Sequence, residues 1–394
     1  MKNDHPILTM ALEARDELVA LRRRFHARPE LSYREHETAK FIADYLRGLG
    51  LPVTTGVGGN GVISVIEGAM PGNVIGLRAD IDALPIRESS ESDFKSEFDG
   101  VMHACGHDAH AAILLGTAKL LAANSDRLPG SVKLIFQPAE ETVSGAKAMI
   151  DDGAFDNPSM DKIIALHVIP DIDSGHISIK RGILMSSRDE FSITITGKGG
   201  HGATPQDTID PIVVGAQLVM AIQTIVSRKI NPLSAATISV GQFVAGTQAN
   251  IIPDEAYING TIRCQDERVR KLIFEQMTIA ANGVCAAAGA ACQVDIIEQV
   301  PSVVNDETLF EEFINRAEEL LDEDELEIAD QPRNFSEDFS LFAEQVPALC
   351  FLLGTYNERK DCVYPLHNSK FKLDEDILPL GVAIFSNFCL NRKT

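Results

Sequence analysis

The sequence lacks a run of basic residues, and its formal net charge is −22. Nucleic acids and anionic membrane surfaces attract basic patches, so we expect neither as a partner. The sequence also lacks an apolar stretch near the roughly 20 residues that span a membrane. Its first residues lead into a charged helix without the apolar centre of a signal peptide.

A regular cysteine spacing is also missing. The seven cysteines, an odd number, are scattered along the chain, which is typical of a reducing cytosol and not of a disulfide scaffold. We therefore expect a cytoplasmic protein whose cysteines are mostly small core residues. The content of 45% hydrophobic and 23% charged residues is typical of a globular protein.

The order of helix and strand patterns changes along the chain. The first part alternates helix and strand, which predicts a layered α/β domain. From about residue 189 the order becomes strand, helix, two strands, helix and strand, the split βαβ or ferredoxin-like unit. Since 394 residues exceed the usual size of one core, we predict two domains. They are a large α/β domain with a mixed sheet, 1–187 and 301–394, and an inserted α+β domain, 188–300.

One glycine-rich segment, 56–61, has the spacing of a dinucleotide-binding fingerprint. It is followed by a β-type run at 62–66, not by a helix whose N-terminus could hold a pyrophosphate. A hairpin turn is the better interpretation, so no nucleotide is expected.

Three apolar runs end on residues that bind metals or transfer protons. The runs and these residues are 74–77 with Asp80 and Asp82, 132–136 with Glu140 and Glu141, and 163–166 with His167. Ligands of open α/β sheets collect at the carboxyl ends of the strands, so we expect these side chains at one edge of the sheet. One of two adjacent glutamates can bind a metal ion while the other serves as a base.

A cysteine and a histidine separated by one glycine, Cys105 and His107, open the next helical run. Gly106 lets the chain turn tightly enough for the thiolate and the imidazole to reach one site. With carboxylates, these donors suit zinc, manganese, cobalt or nickel better than magnesium or calcium. Structural interpretations stay open at this point: paired glutamates often interact with a helix dipole, and buried cysteines and histidines are common in cores.

Taken together, seven segments resemble the M20 family of metallopeptidases and amidohydrolases. The similarity is to the branch of N-acyl-amino-acid, hippurate and auxin-conjugate hydrolases, and it covers nearly the whole chain. The segments are RADIDALP at 78–85, HACGHDAH at 103–110, FQPAEE at 136–141, LH at 166–167, GGHGATP at 199–205, NIIP at 250–253 and LH at 366–367.

The resemblance implies a zinc-peptidase type of catalytic domain that holds two divalent metal ions, with Glu140 as the general base. The implied ligands are Cys105, His107, Glu141, His167 and His367. Other branches of the family have a histidine in the place of Asp80 and a bridging aspartate where the Cys-Gly-His segment lies. The roles of Asp80, Asp82, His103 and His110 are therefore left open.

The inserted domain resembles the family's lid and dimerisation domain. The resemblance implies that His201 stabilises the developing oxyanion, and that Asn250 and Arg263 hold the carboxylate of the substrate. Each of the three could instead be structural: a residue of a glycine-rich turn, a loop cap and a surface ion pair. A homodimer or homo-oligomer that forms through this domain is expected.

The implied activity is metal-dependent hydrolysis of the amide bond in an N-acyl-L-amino acid, a small-molecule substrate. One alternative is a dipeptidase or aminopeptidase that acts on free dipeptides with the same chemistry. Another is a metal-binding or ligand-binding protein without turnover. The acyl group, the amino acid and the native metal do not follow from the sequence.

Overall fold

The structure is a computed structural model that describes residue 2 and residues 4–390. These residues form two compact units. Unit 1 holds the described residues up to Leu184, Val304–Pro332 and those from Asp338 onwards, and unit 2 holds Met185–Val303 and Arg333–Glu337. The boundaries expected from the sequence do not include Arg333–Glu337 in the inserted domain, whereas this segment clusters with unit 2.

The helices and strands are as follows, in chain order. Those up to Met185 are α1 (Pro6–Glu13), α2 (Arg15–Ala27), α3 (His36–Gly48), β1 (Val53–Val57), β2 (Gly61–Glu67), β3 (Met70–Asp80), α4 (His107–Ala123), β4 (Pro129–Gln137), α5 (Gly145–Asp151), β5 (Lys162–Asp173), β6 (Ile177–Ile179) and β7 (Gly182–Met185). Those of unit 2 are β8 (Arg188–Thr196), β9 (Gly200–His201), α6 (Pro211–Lys229), β10 (Ala236–Ala245), β11 (Ile251–Ile252), β12 (Glu255–Cys264), α7 (Glu267–Ala287) and β13 (Ala291–Val300). Those that follow are β14 (Val303–Asn305), α8 (Glu307–Ala317), β15 (Leu326–Ile328), α9 (Phe339–Ala343), β16 (Ala348–Tyr356) and α10 (Leu378–Leu390).

Unit 1 is built on a mixed eight-stranded sheet with the strand order β1-β2-β4-β3-β5-β16-β6-β15. The central strands β4, β3, β5 and β16 are parallel to one another, and β1 and β2 are joined to them as an antiparallel hairpin. Helices α4 and α10 contact each other. Every residue of α10 is buried, as a helix that is apolar on all sides requires. The mixed α/β fold expected from the sequence is confirmed.

The register of the central strands sets the location of the candidate site. Asp80, the last residue of β3, pairs with Gln137, the last residue of β4, so the segments that follow both strands leave the sheet at the same edge. The pairing of β3 with β5 ends at Arg78 opposite Ala165. Strand β5 continues to Asp173 because it also pairs with β16.

The structure confirms the expectation for the glycine-rich segment 56–61 and corrects the one for His167. The glycine-rich segment is the turn of the β1–β2 hairpin, with Gly58 and Gly59 at positive φ, so the hairpin interpretation is confirmed. His167 was expected at the end of a strand, and this is wrong, because it lies inside β5 and pairs with Leu352 of β16. The end of a strand depends on its neighbours, and the apolar run alone does not show it.

Unit 2 has the strand and helix order of the split βαβ unit, as the sequence predicts. Four of its strands form an antiparallel sheet in the order β10-β12-β8-β13, and β9 and β11 form a separate two-stranded ribbon. Apolar residues of α6, α7 and the sheet form one core. The side chains of Asp210 and Asp266 cap α6 and α7 by accepting backbone N–H groups. Although no apolar stretch of membrane-spanning length was expected from the sequence, α6 could cross a bilayer by length and composition, a test that core helices of globular proteins also pass.

Candidate active site

All five side chains predicted as metal ligands lie in one cluster of unit 1. In the triplet of Cys105, His107 and His167, the three ligand atoms lie within 4.8 Å of one another. The same holds for the triplet of Cys105, Glu141 and His367. Cys105 belongs to both triplets and therefore connects the two groups of donors.

The turn that presents Cys105 and His107 requires glycine between them. Gly106 has a φ of 86° and precedes the first turn of α4. A Cβ atom at this position would lie 2.3 Å from the Val168 Cγ2 atom, so a larger residue would have to displace the Val168 side chain of β5. The left-handed conformation and the close approach to β5 both favour glycine. The tight turn places the thiol and the imidazole on the same side of the helix start.

Asp82 orients His107 and the backbone of Glu141. The His107 Nδ1 atom donates to the Asp82 main-chain oxygen at 3.0 Å and lies 3.2 Å from its carboxylate Oδ1 atom. Asp82 Oδ2 accepts the N–H of Glu141 at 3.0 Å. The Nε2 atom of His107 therefore points into the cluster, where it is buried and has no hydrogen-bond partner among the described residues. Asp82, whose role the sequence left open, therefore contacts the ring of His107 and the backbone of Glu141, two of the candidate ligands.

The segment after β4 presents two adjacent glutamates to the cluster. Ala139 has a φ of 54°, which turns the chain sharply just before Glu140. Glu140 is buried, and one of its carboxylate oxygens lies within 4.8 Å of donor atoms of His107 and Glu141. The Glu141 Oε1 atom lies 3.9 Å from the His107 Nε2 atom, and its Oε2 atom lies 3.6 Å from the His367 Nε2 atom.

The two remaining histidines are held by main-chain contacts. His167 donates from its Nδ1 atom to the Val168 carbonyl at 2.7 Å, which leaves its Nε2 atom 3.6 Å from the Cys105 Sγ atom. His367 has a φ of 61°, and its N–H donates to the Ala104 carbonyl at 2.8 Å. The side chain of His367 is about half exposed, whereas His107 and His167 are buried. The cluster is therefore closed on the side of the sheet.

Burial and neighbouring charges shift the pKa values of the cluster in opposite directions. Burial lowers the pKa of His167 to about 3, so this side chain is a neutral imidazole. Burial also opposes a charge on His107, but Asp80 and Asp82 outweigh it and raise the pKa of His107 to about 10. Burial raises the pKa of Glu141 to about 7, although His107 counteracts this shift. Neighbouring groups with divergent pKa values are typical of functional sites.

The donor set fits divalent metal ions. The buried Nε2 atom of His107 and the Oε1 atom of Glu141 both lack a hydrogen-bond partner in the described part of the chain. The His107 Nε2 atom lies 3.6 Å from Asp80 Oδ2 and 3.9 Å from Glu141 Oε1, distances too long for hydrogen bonds, and a bound cation would satisfy these buried atoms. Thiolate, imidazole and carboxylate are donors that zinc and similar metals prefer. A metal ion bound to His107 would replace the proton that its Nε2 atom holds near neutral pH.

Asp80 and His110 form a second buried pair next to the cluster. The His110 Nδ1 atom donates to Asp80 Oδ1 at 2.5 Å, and its Nε2 atom accepts the N–H of Val168 at 2.9 Å. Burial opposes the charge of Asp80, but His107 and Arg78 hold the pKa of its carboxyl group well below the usual range. A negative charge is thus kept beside the ligands.

His103, whose role the sequence also left open, lies in the same interior. Burial lowers its pKa to about 4, and neither ring nitrogen has a hydrogen-bond partner within the described residues.

Several buried residues that support the site were missed by the sequence-based reasoning. Arg78 is buried and donates to Gln137 Oε1 at 2.8 Å, to Asp80 Oδ2 at 2.8 Å and to Asp338 Oδ1 at 3.2 Å. Asp338 also accepts the N–H of Ala146 at 2.9 Å, at the start of α5. Arg78 is the first residue of the segment RADIDALP, so the sequence pointed to its position. Asp338 lies outside all seven segments that resemble the family.

A further buried network lies behind the start of α4. Asp108 accepts from the Arg22 Nε atom and from the His26 Nδ1 atom, both at 2.8 Å. The other ring nitrogen of His26 lies 3.2 Å from a carboxylate oxygen of Glu88. The start of the helix that carries His107 is thus tied to α2.

Two of the three residues expected in the inserted domain lie together in unit 2. Strands β9 and β11 pair His201 with Ile251, and the N–H of Gly202 donates to the Asn250 carbonyl at 2.9 Å. The His201 Nδ1 atom accepts the N–H of Ala203 at 3.0 Å. His201 and Asn250 are both exposed.

Arg263 lies near the end of β12, outside the β9–β11 ribbon. Its guanidinium group has no ion pair or side-chain hydrogen bond to any described residue, and its Nη1 atom is buried. Burial and the nearby Arg188 lower its pKa. An unpaired and partly buried guanidinium group is a suitable site for a carboxylate.

Comparison with known proteins identifies relatives of nearly full length. Residues 76–391 match the model of the family described as Peptidase family M20/M25/M40. The chain is 43% identical over 373 residues to thermostable carboxypeptidase 2 of Saccharolobus solfataricus, with 94% of this chain and 93% of that protein covered. It is 38% identical over 381 residues to N-acetylcysteine deacetylase of Bacillus subtilis, with coverages of 95% and 96%.

A solved structure shares the fold. The structure of the Bacillus subtilis YxeP protein, described as a dinuclear metal-binding peptidase from the M20 family, is similar with a TM-score of 0.84 and 34% identity. The similarity covers 96% of this chain and 98% of that one.

Proposed function

Because the chain belongs to peptidase family M20/M25/M40, whose members include amide hydrolases, we propose that it hydrolyses N-acyl-L-amino acids to a carboxylic acid and a free amino acid. The observation that carries this proposal is the buried Glu140 beside a cluster in which the His107 Nε2 and Glu141 Oε1 atoms have no hydrogen bond to any described residue. A carboxylate base next to candidate metal-binding atoms indicates a hydrolytic enzyme more strongly than a protein that only binds a metal ion.

We propose that the five clustered residues hold two divalent metal ions, of zinc, manganese, cobalt or nickel. The ligands would be Cys105, His107, Glu141, His167 and His367. When bound, such ions activate a water molecule and polarise the carbonyl of the amide bond. The dinuclear site reported for the YxeP protein supports the expected number of ions.

In this proposal Glu140 is the general base. It takes a proton from the attacking water molecule and then transfers that proton to the nitrogen of the leaving amine. Two features of the site support this role. Glu140 is buried, and the backbone of Glu141 is held separately by Asp82, so the two adjacent carboxylates can act independently.

Unit 2 would supply substrate-binding groups. We propose that His201 stabilises the oxyanion that develops on the carbonyl, and that Asn250 and Arg263 bind the carboxylate of the amino acid. The exposed side chains of His201 and Asn250 and the unpaired guanidinium group of Arg263 support these roles.

A carboxypeptidase activity is the second candidate, because a relative with 43% identity bears that name. Both activities cleave an amide bond next to a free carboxylate, and they differ in the group on the acyl side. A carboxypeptidase accepts a peptide there, whereas an amidohydrolase accepts a simple acyl group. A dipeptidase or aminopeptidase would instead require recognition of a free amine.

The substrate class can be tested by removing metals with a chelator, reloading the protein with each of the four metals, and measuring amine release. The panel contains N-acetyl, N-benzoyl and indole-acetyl amino acids, blocked peptides and free dipeptides. We expect release from the simple acyl-amino acids. Cleavage of blocked peptides alone would favour the carboxypeptidase, and cleavage of free dipeptides alone would favour the dipeptidase. No turnover with any metal would contradict all three.

We also propose that the protein is a cytoplasmic homodimer that assembles through unit 2. Helix α6 exposes Ile212, Val213 and Met220, and the edge strand β10 exposes Phe243 and Val244. Exposed apolar side chains on neighbouring elements are typical of a protein interface. All seven cysteines are free thiols, which is compatible with the cytoplasm.

Light scattering tests the dimer. Met220→Glu should give a monomer, whereas Ile328→Glu, at another exposed apolar position in unit 1, should leave the mass unchanged. A monomeric wild-type protein would contradict the proposal.

A further inference from the structure

We propose that Glu35 is a positioning residue that sets the direction of Glu140 by holding the backbone of Ala139. The inference rests on the proposed function, since it assigns Glu35 a part in placing the general base. Glu35 lies just before α3, and none of the segments that point to the metal site contains it. It is 0% exposed.

The carboxylate of Glu35 joins three separate segments of unit 1. Its Oε1 atom accepts the N–H of Tyr33 and the N–H of Ala139, both at 2.9 Å. Its Oε2 atom accepts from the Asn60 Nδ2 atom, also at 2.9 Å. One buried side chain therefore connects the segment before α3, the β1–β2 hairpin and the segment that follows β4.

The two N–H groups that donate to the Oε1 atom of Glu35 belong to residues with an unfavourable backbone conformation. Tyr33 has a φ of 62° and Ala139 a φ of 54°, in the left-handed region that residues with a Cβ atom seldom adopt. Such conformations persist only where the surrounding structure holds them, and they are frequent at functional sites. A single carboxylate oxygen holds both.

Two further hydrogen bonds fix the segment that follows Ala139. The hydroxyl group of Tyr33 donates to the Ser144 Oγ atom at 2.9 Å, and the N–H of Gly145 donates to the Ala139 carbonyl at 3.1 Å. The turn from Ala139 to Gly145 is thus fixed at both ends. Glu140 directly follows the residue that Glu35 holds, so a rotation of the backbone at Ala139 would move the carboxylate of Glu140.

The two adjacent glutamates have different supports. Glu35 holds the residue before Glu140, whereas Asp82 holds the N–H of Glu141 and also contacts His107. Loss of Glu35 should therefore disturb the base more than the metal ligands. A misplacement of about 1 Å can cost on the order of 100-fold in rate.

The test compares three variants of the metal-loaded enzyme. Glu35→Leu removes both acceptors, so kcat should fall at least about tenfold, with KM and metal content close to those of the wild type. Glu35→Gln keeps one acceptor oxygen for the two N–H groups, and its amide can pair with a flipped Asn60, so it should retain most of kcat. The control is Glu30→Leu, which removes the carboxylate that caps α3 through Thr38 and should leave kcat unchanged.

A double variant separates positioning from general stability. If Glu35 acts through Glu140, then Glu35→Leu should cause no further loss of kcat in a Glu140→Gln background. Hydrogen exchange of the peptide 137–146 gives a readout independent of turnover, and it should become faster in Glu35→Leu. If that variant does not fold, Glu35→Asp, which is one methylene shorter, replaces it with the same expected direction.

The outcomes distinguish the two proposals. Wild-type kcat in Glu35→Leu or Glu35→Asp, unchanged exchange of 137–146, or independent losses in the double variant would each overturn the role of Glu35. An inactive wild-type enzyme would contradict the proposed function. The exchange measurement would still show whether Glu35 holds the backbone of Ala139.

Discussion

The residues expected in the two units are held in different ways. In unit 1, buried hydrogen bonds orient the candidate ligands: Asp82 holds His107, and the Val168 carbonyl holds His167. In unit 2, His201 is exposed on a short two-stranded ribbon, and Asn250, which directly precedes the ribbon strand β11, is exposed as well. The candidate metal centre is thus organised by buried hydrogen bonds of unit 1, whereas the side chains of His201 and Asn250 lie in solvent and that of Arg263 is partly buried without an ion pair among the described residues. Preorganisation of this kind is expected where geometry determines metal affinity and rate.

The largest effect should come from removing a ligand of the preorganised cluster. His107→Ala deletes a donor that belongs to three of the candidate metal-binding groups, so bound metal and amide hydrolysis should both be lost. Metal content by mass spectrometry and amine release measure the two effects. The exposed His36 at the start of α3 provides the control, His36→Ala, which should behave like the wild type. Full metal content in His107→Ala would remove it from the ligand set.

A smaller effect is expected from weakening the support of a ligand. Asp82→Asn keeps the size of the side chain but removes the charge that faces His107, so metal affinity should fall roughly 10- to 100-fold. Competition with a chelator measures the affinity. Asp161→Asn is the matched control, because Asp161 also accepts a backbone N–H, that of Val74, but lies on the surface. Equal affinities of Asp82→Asn and the wild type would show that the fold of unit 1 does not tune the site.

Changes in unit 2 should affect substrate binding and leave metal binding intact. Arg263→Gln removes the unpaired guanidinium group, so KM for an N-acyl-amino acid should rise about tenfold, the value of a hydrogen bond to a charged group. KM for the corresponding amino-acid amide, which has no carboxylate, should not change. Arg228→Gln, at an exposed position in the last turn of α6, should change neither value. An equal rise for both substrates would contradict carboxylate binding by Arg263.

The smallest effect concerns the network behind α4. Burial and Arg22 oppose a charge on His26, but hydrogen bonds to Asp108 and Glu88 outweigh them and raise its pKa. A raised pKa in the folded state means that the charged His26 stabilises the protein below its unfolded pKa of about 6.5, and that this stability is lost as the pH rises through the folded pKa. The melting temperature of the wild type should therefore exceed that of His26→Gln most at about pH 6, and the difference should shrink above about pH 6.5. A difference that is constant or grows with pH would contradict the charged state.

The parts of the structure that the sequence predicts have strong local signals. The strand and helix order of unit 2 follows from hydrophobic periodicity, and the turn at Gly106 follows from the spacing of Cys105 and His107. The single charged helix expected near the start of the chain is instead two helices, α1 and α2, that meet at Ala14, a residue that carries no breaking signal.

The supports of the site have no comparable signal. Glu35 and Asp338 act by accepting backbone N–H groups of Ala139 and Ala146, which are distant in sequence. Such contacts need no fixed spacing or residue pair, and a buried acid resembles a surface acid in the sequence. Long-range packing creates these roles, so only the structure shows them.

We propose that Glu140 acts as a base at a metal centre that residues of unit 1 form. The most direct test measures the metal content and the kcat for an N-acyl-amino acid in the wild type and in Glu140→Gln, prepared and loaded side by side. We expect about two metal ions per chain in both proteins and a kcat that is roughly 10²- to 10⁴-fold lower in the variant. Full metal content with a nearly unchanged kcat in Glu140→Gln would contradict the role of Glu140 as the base.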